Sequence, residues 1–290
     1  MVARGPEDRT PAGAGPDATF VRIFDRMQCP RCAGVLESAS DALRCAECGA
    51  EYPVRDGVPL LAIHGTTETW MGTRPDESSE EYQKEYEELE QAREYNEAYR
   101  NRTTKRWSTN REYRLLERLL GSQPRSEVLL DIPSGGGRLS PQLSGYTEIL
   151  VEADIAYGQL LYGREHPVEE AEQAWMTASA FHIPFRDQSV DGVVCCRLNH
   201  HLPTPEERER LVTELLRVSR RFVIMTFFDY HSVKNYIRRI RRPFNRKPPK
   251  MTMAVAQVRA LARENGARLL AQPPLSRLFS GHRYALMVRE

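Results

Sequence analysis

The chain has 290 residues, of which 40% are hydrophobic and 28% are charged, and its formal net charge is +1. This length and composition fit one large globular domain with a small additional module, and bulk charge indicates no class of partner. No apolar run reaches the ~18 residues of a transmembrane helix, and the N-terminus lacks the apolar core of a signal peptide. We therefore expect a cytoplasmic protein without a membrane span.

Shifts in composition along the chain predict five segments. Residues 1–19 are rich in Gly, Pro and Ala, as in a disordered leader. A cysteine-rich module follows over 20–64, and residues 65–79 form a polar linker. Apolar residues recur at helical spacing over 80–124, which predicts a helical extension or lid. The remaining segment, 125–290, carries the pattern of a large domain.

Short apolar runs alternate with helical patterns in this last segment, which predicts a doubly wound α/β sheet of the Rossmann-like kind. The clearest helical pattern covers 205–219, and another covers 252–265. The predicted strands are 128–132, 149–153, 174–178, 192–196, 222–228, 268–270 and 284–288.

The cysteine-rich module contains two CxxC pairs, Cys29-Pro-Arg-Cys32 and Cys45-Ala-Glu-Cys48. Each pair can place two thiolates on one tetrahedral ion, and two pairs complete a four-sulfur site without an open position, as in structural zinc sites. Four buried or free cysteines are the alternative. In a reducing compartment this paired spacing favours zinc.

Residues 45–61, CAECGAEYPVRDGVPLL, resemble the Trm112-like zinc ribbon family. The second CxxC pair is followed there by a Tyr-Pro-Val-x-Asp-Gly-Val-Pro turn and apolar residues. The resemblance implies a small ribbon held by structural Zn²⁺. It also leaves open a protein partner that binds through the ribbon.

A glycine-rich turn follows the first predicted strand, in the sequence VLLDIPSGGGRL at 128–139. Asp131 ends the strand, and Gly135 and Gly137 let the backbone pass close to a ligand at the carboxyl end of the sheet. Asp154 ends the next strand, where a carboxylate binds ribose hydroxyls in nucleoside-binding α/β folds. A nicotinamide-dependent enzyme shares these features, and a purely structural turn is a further alternative.

Two later stretches resemble the class I S-adenosylmethionine-dependent methyltransferases (methyltransferase type 11-like). ASAFHIPFRDQSVD at 178–191 resembles the third motif of that family and the stretch after it, and VVCCRLNHHL at 193–202 resembles its fourth strand and following loop. The resemblance covers about 125–290. It implies a methyltransferase that uses S-adenosylmethionine.

The resemblance also implies which residues contact the cofactor, from its methionine and ribose ends to its adenine ring. These residues are Asp131, Gly135, Gly137, Asp154, Ser179 and Ala180. Two positions depart from the family pattern. Pro133 replaces its first glycine, and Ser179 replaces the acid expected before Ala180, which should weaken adenine recognition.

No catalytic residue follows from the sequence. Methyl transfer depends mainly on aligning the nucleophile with the methyl group, so a general base is optional. Five residues after the fourth and fifth strands can act as a base or only shape the loops. They are His200, His201, Asp229, Tyr230 and His231.

A basic segment at 231–250 follows the fifth strand and contains no acidic residue. Its eight basic residues are Lys234, Arg238, Arg239, Arg241, Arg242, Arg246, Lys247 and Lys250. Such a cluster can bind RNA phosphates, anionic lipid head groups or an acidic small molecule, and a solvated loop is the alternative. We expect Arg238, Arg239, Arg241 and Arg242 to contribute to binding rather than to folding.

Three functions follow from these patterns. The favoured one is methyl transfer to a small or lipid-linked, anionic substrate. The second is methylation of rRNA or tRNA, although aromatic residues suited to clasping a flipped base are not evident. The third is a non-catalytic module that binds cofactor or recruits a partner. The intact Asp131, Gly135, Gly137 and Asp154 argue against the third.

Overall fold

The computed structural model describes residues 16–62, 87–101, 103–241, 251–278 and 280–290. The predicted linker 65–79 and residues 1–15 of the predicted leader lie outside these ranges. A small antiparallel sheet and a seven-stranded sheet are both present in the described part of the chain. None of its helices is both long and apolar enough to cross a membrane.

The small sheet contains the two CxxC pairs and follows a short helix, Ala18–Ile23. The side chain of Asp17 caps this helix by accepting a hydrogen bond from the Phe20 amide at 2.8 Å. The predicted leader is therefore wrong at its C-terminal end, where a capped helix begins. The strands of the small sheet are β1 (Leu36–Ser38), β2 (Ala42–Cys45), β3 (Glu51–Arg55) and β4 (Val58–Pro59), paired in that order.

The large sheet confirms the predicted doubly wound α/β fold. Its strands are β5 (Ser126–Asp131), β6 (Thr147–Asp154), β7 (Glu172–Thr177), β8 (Val190–Cys195), β9 (Ser219–Phe228), β10 (Ala267–Ala271) and β11 (His282–Arg289). They lie in the order β10-β11-β9-β8-β5-β6-β7. Strands β5 to β9 are parallel, whereas β11 is antiparallel to both of its neighbours.

Helices precede the large sheet and connect several of its strands, as the alternating pattern predicts. They are Leu89–Asn101, Thr103–Leu120, Ser140–Leu143, Tyr157–Arg164, Pro205–Val218, Val233–Ile240 and Val255–Glu264. The helical pattern predicted from residue 80 is therefore divided into two helices, and residues 80–86 lie outside the described ranges. Strand β9 begins at Ser219, three residues before the predicted start.

Alternating residues of the central strands form two separate apolar layers, because successive side chains of a strand point to opposite faces. Val128 and Leu130 belong to one layer, which also contains the ribbon and the Pro205–Val218 helix. Leu129 belongs to the other, which contains the Thr103–Leu120 helix. The sheet is therefore covered on both faces.

The ribbon packs directly on the large sheet. Phe20, Ile23 and Met27 are almost fully buried in the same apolar cluster as Phe185. The amide of Ala62 also donates a hydrogen bond to Thr177 Oγ1 at 3.1 Å. The ribbon and the large sheet therefore share one core, although the predicted linker 65–79 follows the ribbon along the chain.

The strand order reverses between β5 and β8. The chain runs outward from β5 through β6 and β7, and then returns to pair β8 with the other side of β5. In open α/β sheets this reversal leaves a crevice at the carboxyl ends of the two strands, and ligands bind there.

Candidate functional site

The glycine-rich turn after β5 takes a conformation that suits glycine. Gly135 and Gly137 have φ values of 56° and 70°, in the left-handed region that side chains disfavour. A Cβ atom on Gly136 would lie 2.5 Å from Asn96 Nδ2 and 2.7 Å from Tyr162 Cδ1. The turn is thus packed closely beneath the Leu89–Asn101 helix. The peptide bond before Pro133 is cis.

Asp154 holds this turn from the end of β6. Its Oδ2 accepts a hydrogen bond from the Gly135 amide at 2.8 Å, and its Oδ1 accepts one from the Ala156 amide at 3.0 Å. The side chain is fully buried. Burial raises the pKa of Asp154 to about 6, although the backbone amides of Ala156 and Gly135 act to lower it. The turn after β5 and the carboxyl end of β6, both predicted from the sequence as parts of the site, are therefore joined by a hydrogen bond.

A cavity of about 480 Å³ opens at the carboxyl ends of β5, β6 and β8. This size suits a small-molecule site. Four of the six predicted cofactor residues line it, namely Gly135, Asp154, Ser179 and Ala180. Its other lining residues are Tyr95, Asn96, Ile132, Pro133, Ser134, Gly136, Arg138, Leu139, Ile155, Gln159, Ala178, Phe181, Cys196, Arg197, Leu198, His200, His201 and Leu202.

The other two predicted cofactor residues, Asp131 and Gly137, are not among the described residues that line the cavity. Asp131 is fully buried, and neither of its carboxylate oxygens has a hydrogen-bond partner within the described part of the chain. Burial and the nearby Glu152 raise the pKa of Asp131 well above its ordinary value. Asp131 therefore lies behind the glycine-rich turn rather than in the cavity wall.

Two arginines in the cavity wall are paired with one buried carboxylate that the sequence analysis missed. Glu112 accepts hydrogen bonds from Arg138 at 2.7 Å and from Arg197 at 2.9 Å, and the hydroxyl of Tyr284 donates to it at 3.0 Å. Burial acts to raise the pKa of Glu112, but Arg138 and Arg197 outweigh it and lower this pKa to about 2. Two guanidinium groups of the cavity wall therefore share the single carboxylate of Glu112.

Two histidines stand at the same end of the cavity. His200 and His201 both line it, and the ring of His200 lies 4.4 Å from that of Phe228 and 5.0 Å from that of His282, measured between centroids. Burial lowers the pKa of His282 to about 4, so its ring is neutral near pH 7. The cavity therefore has an imidazole-rich end beside β9 and β11.

The other candidate bases lie elsewhere. Asp229 forms an ion pair with Arg283 at 2.8 Å. Tyr230 is exposed beneath the guanidinium of Arg239, which lies 3.9 Å from its ring centroid. His231 and Asp229 line a second cavity of about 350 Å³. Only the two histidines of this candidate set line the cavity that contains the glycine-rich turn.

The four ribbon cysteines converge as their spacing predicts. Their Sγ atoms all lie within 4.8 Å of one another, with Cys29 to Cys48 at 3.8 Å and Cys32 to Cys45 at 3.5 Å. Sulfurs at the corners of a zinc tetrahedron stand about 3.8 Å apart, given Zn–S bonds of about 2.3 Å. Tyr52 supports the group through its hydroxyl, 3.1 Å from Cys29 Sγ. The donor set fits structural zinc.

Comparisons with known proteins concern both parts of the chain. Residues 130–225 match the family described as "Methyltransferase domain". A UPF0434 protein of Burkholderia multivorans (strain ATCC 17616 / 249) is 36% identical over 59 residues, which are 20% of this chain and 92% of that protein.

Solved structures resemble the fold at low sequence identity. Magnesium protoporphyrin IX methyltransferase from Synechocystis PCC 6803, solved with bound SAH, superposes with a TM-score of 0.53 and 18% identity, over 62% of this chain and 84% of that one. The PH0226 protein from Pyrococcus horikoshii OT3 superposes with a TM-score of 0.50 and 18% identity, over 66% of this chain and 93% of that one.

Proposed function

Because this chain is a Rossmann-like methyltransferase that uses S-adenosylmethionine and carries a zinc ribbon, we propose that it methylates a small or lipid-linked, anionic acceptor. The observation that carries the proposal is that one cavity combines two kinds of wall, one formed by predicted cofactor residues and the other by basic and imidazole side chains. Residues of the predicted cofactor set form one wall. Arg197, His200 and His201, from the loop after β8, form the other.

We propose that the six residues of the predicted cofactor set hold S-adenosylmethionine, which supplies a methyl group on a sulfonium. Asp154 retains lone pairs on both oxygens for ribose hydroxyls after accepting the two backbone amides. Gly135 brings the backbone close to the ligand. Ser179 and Ala180 face the adenine ring. Asp131, which is fully buried and does not line the cavity, would act from behind the turn.

The acceptor would occupy the end of the cavity near the histidines. The guanidinium groups of Arg138 and Arg197 there favour an anionic group. His200 and His201 can position a hydroxyl or amine and take its proton as the methyl group is transferred. Alignment of the acceptor with the methyl group remains the larger contribution to the rate.

We further propose that the helical extension 80–124 is a lid on the methyltransferase domain 125–290, with the ribbon at 20–64. Tyr95 and Asn96 of the Leu89–Asn101 helix line the cavity, which supports this role. The apolar face of the ribbon is occupied by the sheet of its own chain. A protein partner of the ribbon would therefore use the rest of its surface.

Transfer of labelled methyl groups from S-adenosylmethionine into separated cell fractions tests the acceptor class. We expect label in the organic extract or the small-molecule pool with the wild-type chain and none with Asp154→Ala. Label that enters RNA and is released by ribonuclease would instead establish an RNA methyltransferase. Calorimetry that shows no binding of S-adenosylmethionine would contradict both.

A further inference from the structure

The Val233–Ile240 helix, here called the basic helix, exposes its apolar side to solvent. Its apolar residues Val233, Tyr236, Ile237 and Ile240 recur at i, i+3, i+4 and i+7, which places them on one stripe. Such a stripe normally faces the core of a globular protein. Here the four side chains are between 41% and 58% exposed.

The polar side of the basic helix faces the protein instead. Asn235 lies roughly opposite the apolar stripe, at about 100° of rotation per residue, and is 2% exposed. Its Nδ2 donates a hydrogen bond to the Asp229 carbonyl at 2.8 Å. A Cβ atom on Gly281 would lie 2.8 Å from the same nitrogen, so the contact is close. The helix is therefore anchored by an amide while its apolar stripe points outward.

Basic residues flank this stripe on both sides. Lys234 and Arg241 lie along one edge, and Arg239 lies along the other, where it also donates to the Tyr230 carbonyl at 2.6 Å. Arg238 lies on the protein-facing side, where it donates to Asn235 Oδ1 at 2.9 Å. No acidic residue occurs between 231 and 250. Single exposed apolar side chains are common on protein surfaces, but a continuous stripe bordered by positive charge marks an interaction site.

The basic helix also lies next to the cavity. Arg238 stands over the ring of Phe228, 5.6 Å from its centroid. Phe228 in turn contacts His200, which lines the cavity. The basic helix is thus separated from the acceptor end of the cavity by one aromatic side chain, Phe228.

We propose that the basic helix docks the enzyme on a bilayer surface that contains anionic lipids. The apolar stripe would enter the boundary between head groups and acyl chains, while Lys234 and Arg241 would contact the negatively charged head groups. RNA phosphates would use the positive charge but not the apolar stripe. A second copy of this chain would bring two positively charged edges together, which opposes pairing.

Docking on lipid deepens the proposed function, because the anionic acceptor would then be taken from the membrane surface. That consequence rests on the proposed function, whereas docking itself does not. Binding of S-adenosylmethionine, measured by calorimetry without vesicles, tests the proposed function. Vesicle flotation without cofactor tests the docking. Either proposal can therefore fail while the other holds.

Flotation of the full zinc-loaded chain with two kinds of vesicle tests the docking. We expect it to float with phosphatidylcholine vesicles that contain phosphatidylglycerol and not with phosphatidylcholine alone. Lys234→Gln/Arg241→Gln should weaken this binding by roughly 25-fold, because each charge near an anionic surface contributes about fivefold. Ile237→Ser/Ile240→Ser should weaken it by at least about 10-fold.

Matched controls alter the same residue types on other exposed surfaces. Arg259→Gln/Arg263→Gln removes charge from the Val255–Glu264 helix, and Val21→Ser/Val35→Ser removes apolar surface from the ribbon. Both should float like the wild type, and all four variants should keep its melting temperature and its affinity for S-adenosylmethionine.

Three results would overturn the proposal. The first is equal flotation of the Ile237→Ser/Ile240→Ser variant and the wild type. The second is RNA binding that only the charge variant loses, which would assign the helix to RNA. The third is a concentration-dependent dimer that the serine variant abolishes, which would assign the stripe to a second copy of the chain.

Discussion

The carboxylate of Glu112 lies 2.9 Å from the guanidinium of Arg197, although 85 residues separate them along the chain. The pair joins the Thr103–Leu120 helix to the loop after β8, and so joins the helical extension to the wall of the cavity. Arg197 has a φ of 70°, a conformation that costs a residue other than glycine some free energy. The bond to Glu112 helps to hold it there.

Replacing Glu112 by Gln should destabilise the chain. The substitution leaves Arg138 and Arg197 without their shared counter-charge. Because both arginines are partly exposed, the loss should be smaller than the ~3–5 kcal/mol of a fully buried ion pair. We expect a lower urea midpoint and weaker binding of S-adenosylmethionine. Glu117→Gln, on an exposed position of the same helix, is the control and should change neither. Equal midpoints for the two variants would show that the pair contributes nothing to stability.

The same carboxylate should give a defined acid dependence. The pKa of Glu112 is about 2 in the folded chain and 4.5 ordinarily, so the charged form is favoured by folding. Its contribution is complete above the ordinary pKa and is lost as the pH falls from about 4.5 to about 2. Across that window, the melting temperature of the wild type should approach that of Glu112→Gln. A constant difference between the two would contradict this assignment.

Gly136→Ala should disrupt the turn, whereas Gly145→Ala should be tolerated. The new methyl group at Gly136 would press on Asn96 and Tyr162, while that at Gly145 would meet no atom within 4 Å. Overpacking of this kind costs about 1–3 kcal/mol. Calorimetry should show weaker S-adenosylmethionine binding only for Gly136→Ala. Unchanged binding in that variant would mean that the Leu89–Asn101 helix shifts to accommodate the added methyl group without affecting the site.

Asp154→Ala should weaken the binding of S-adenosylmethionine and of its demethylated product alike, because both contain the ribose. Each hydrogen bond to a charged acceptor contributes about 1.5–3 kcal/mol before water compensates. Affinity in the wild type should also rise between about pH 5 and about pH 7, as the carboxylate ionises. Glu148→Ala, on an exposed position of β6, is the control. Binding of NADH in place of S-adenosylmethionine would contradict the cofactor assignment.

The purified chain should contain one zinc ion, held by Cys29, Cys32, Cys45 and Cys48. Because Cys29 and Cys45 belong to the apolar cluster that continues into the sheet, Cys45→Ser should lower the melting temperature of the whole chain. Elemental analysis and calorimetric unfolding measure the two effects. Cys195→Ser, outside the ribbon, should retain the metal. A separate early transition with an unchanged main one would show that the ribbon folds independently after all.

Local sequence patterns were sufficient to predict the cysteine cluster, the parallel strands and the position of the glycine-rich turn. Paired CxxC motifs predicted the cysteine cluster, because four thiolates at that spacing serve few other purposes. Apolar runs predicted the parallel strands, and the glycine-rich turn and Asp154 were predicted to lie together, as they do at one cavity. These features depend on residues close together in the chain, or on strand ends that any doubly wound sheet brings together.

Only the tertiary structure decided the contacts between distant segments. Nothing near Glu112 in the sequence indicates that Arg138 and Arg197 will share it, since burial and pairing arise only when the helix packs on the sheet. The apolar spacing of Val233–Ile240 predicts an amphipathic helix but not the direction in which its stripe points. That direction follows from Asn235, whose amide donates a hydrogen bond to the carbonyl of the buried Asp229, directly after β9, and so turns the apolar residues toward solvent.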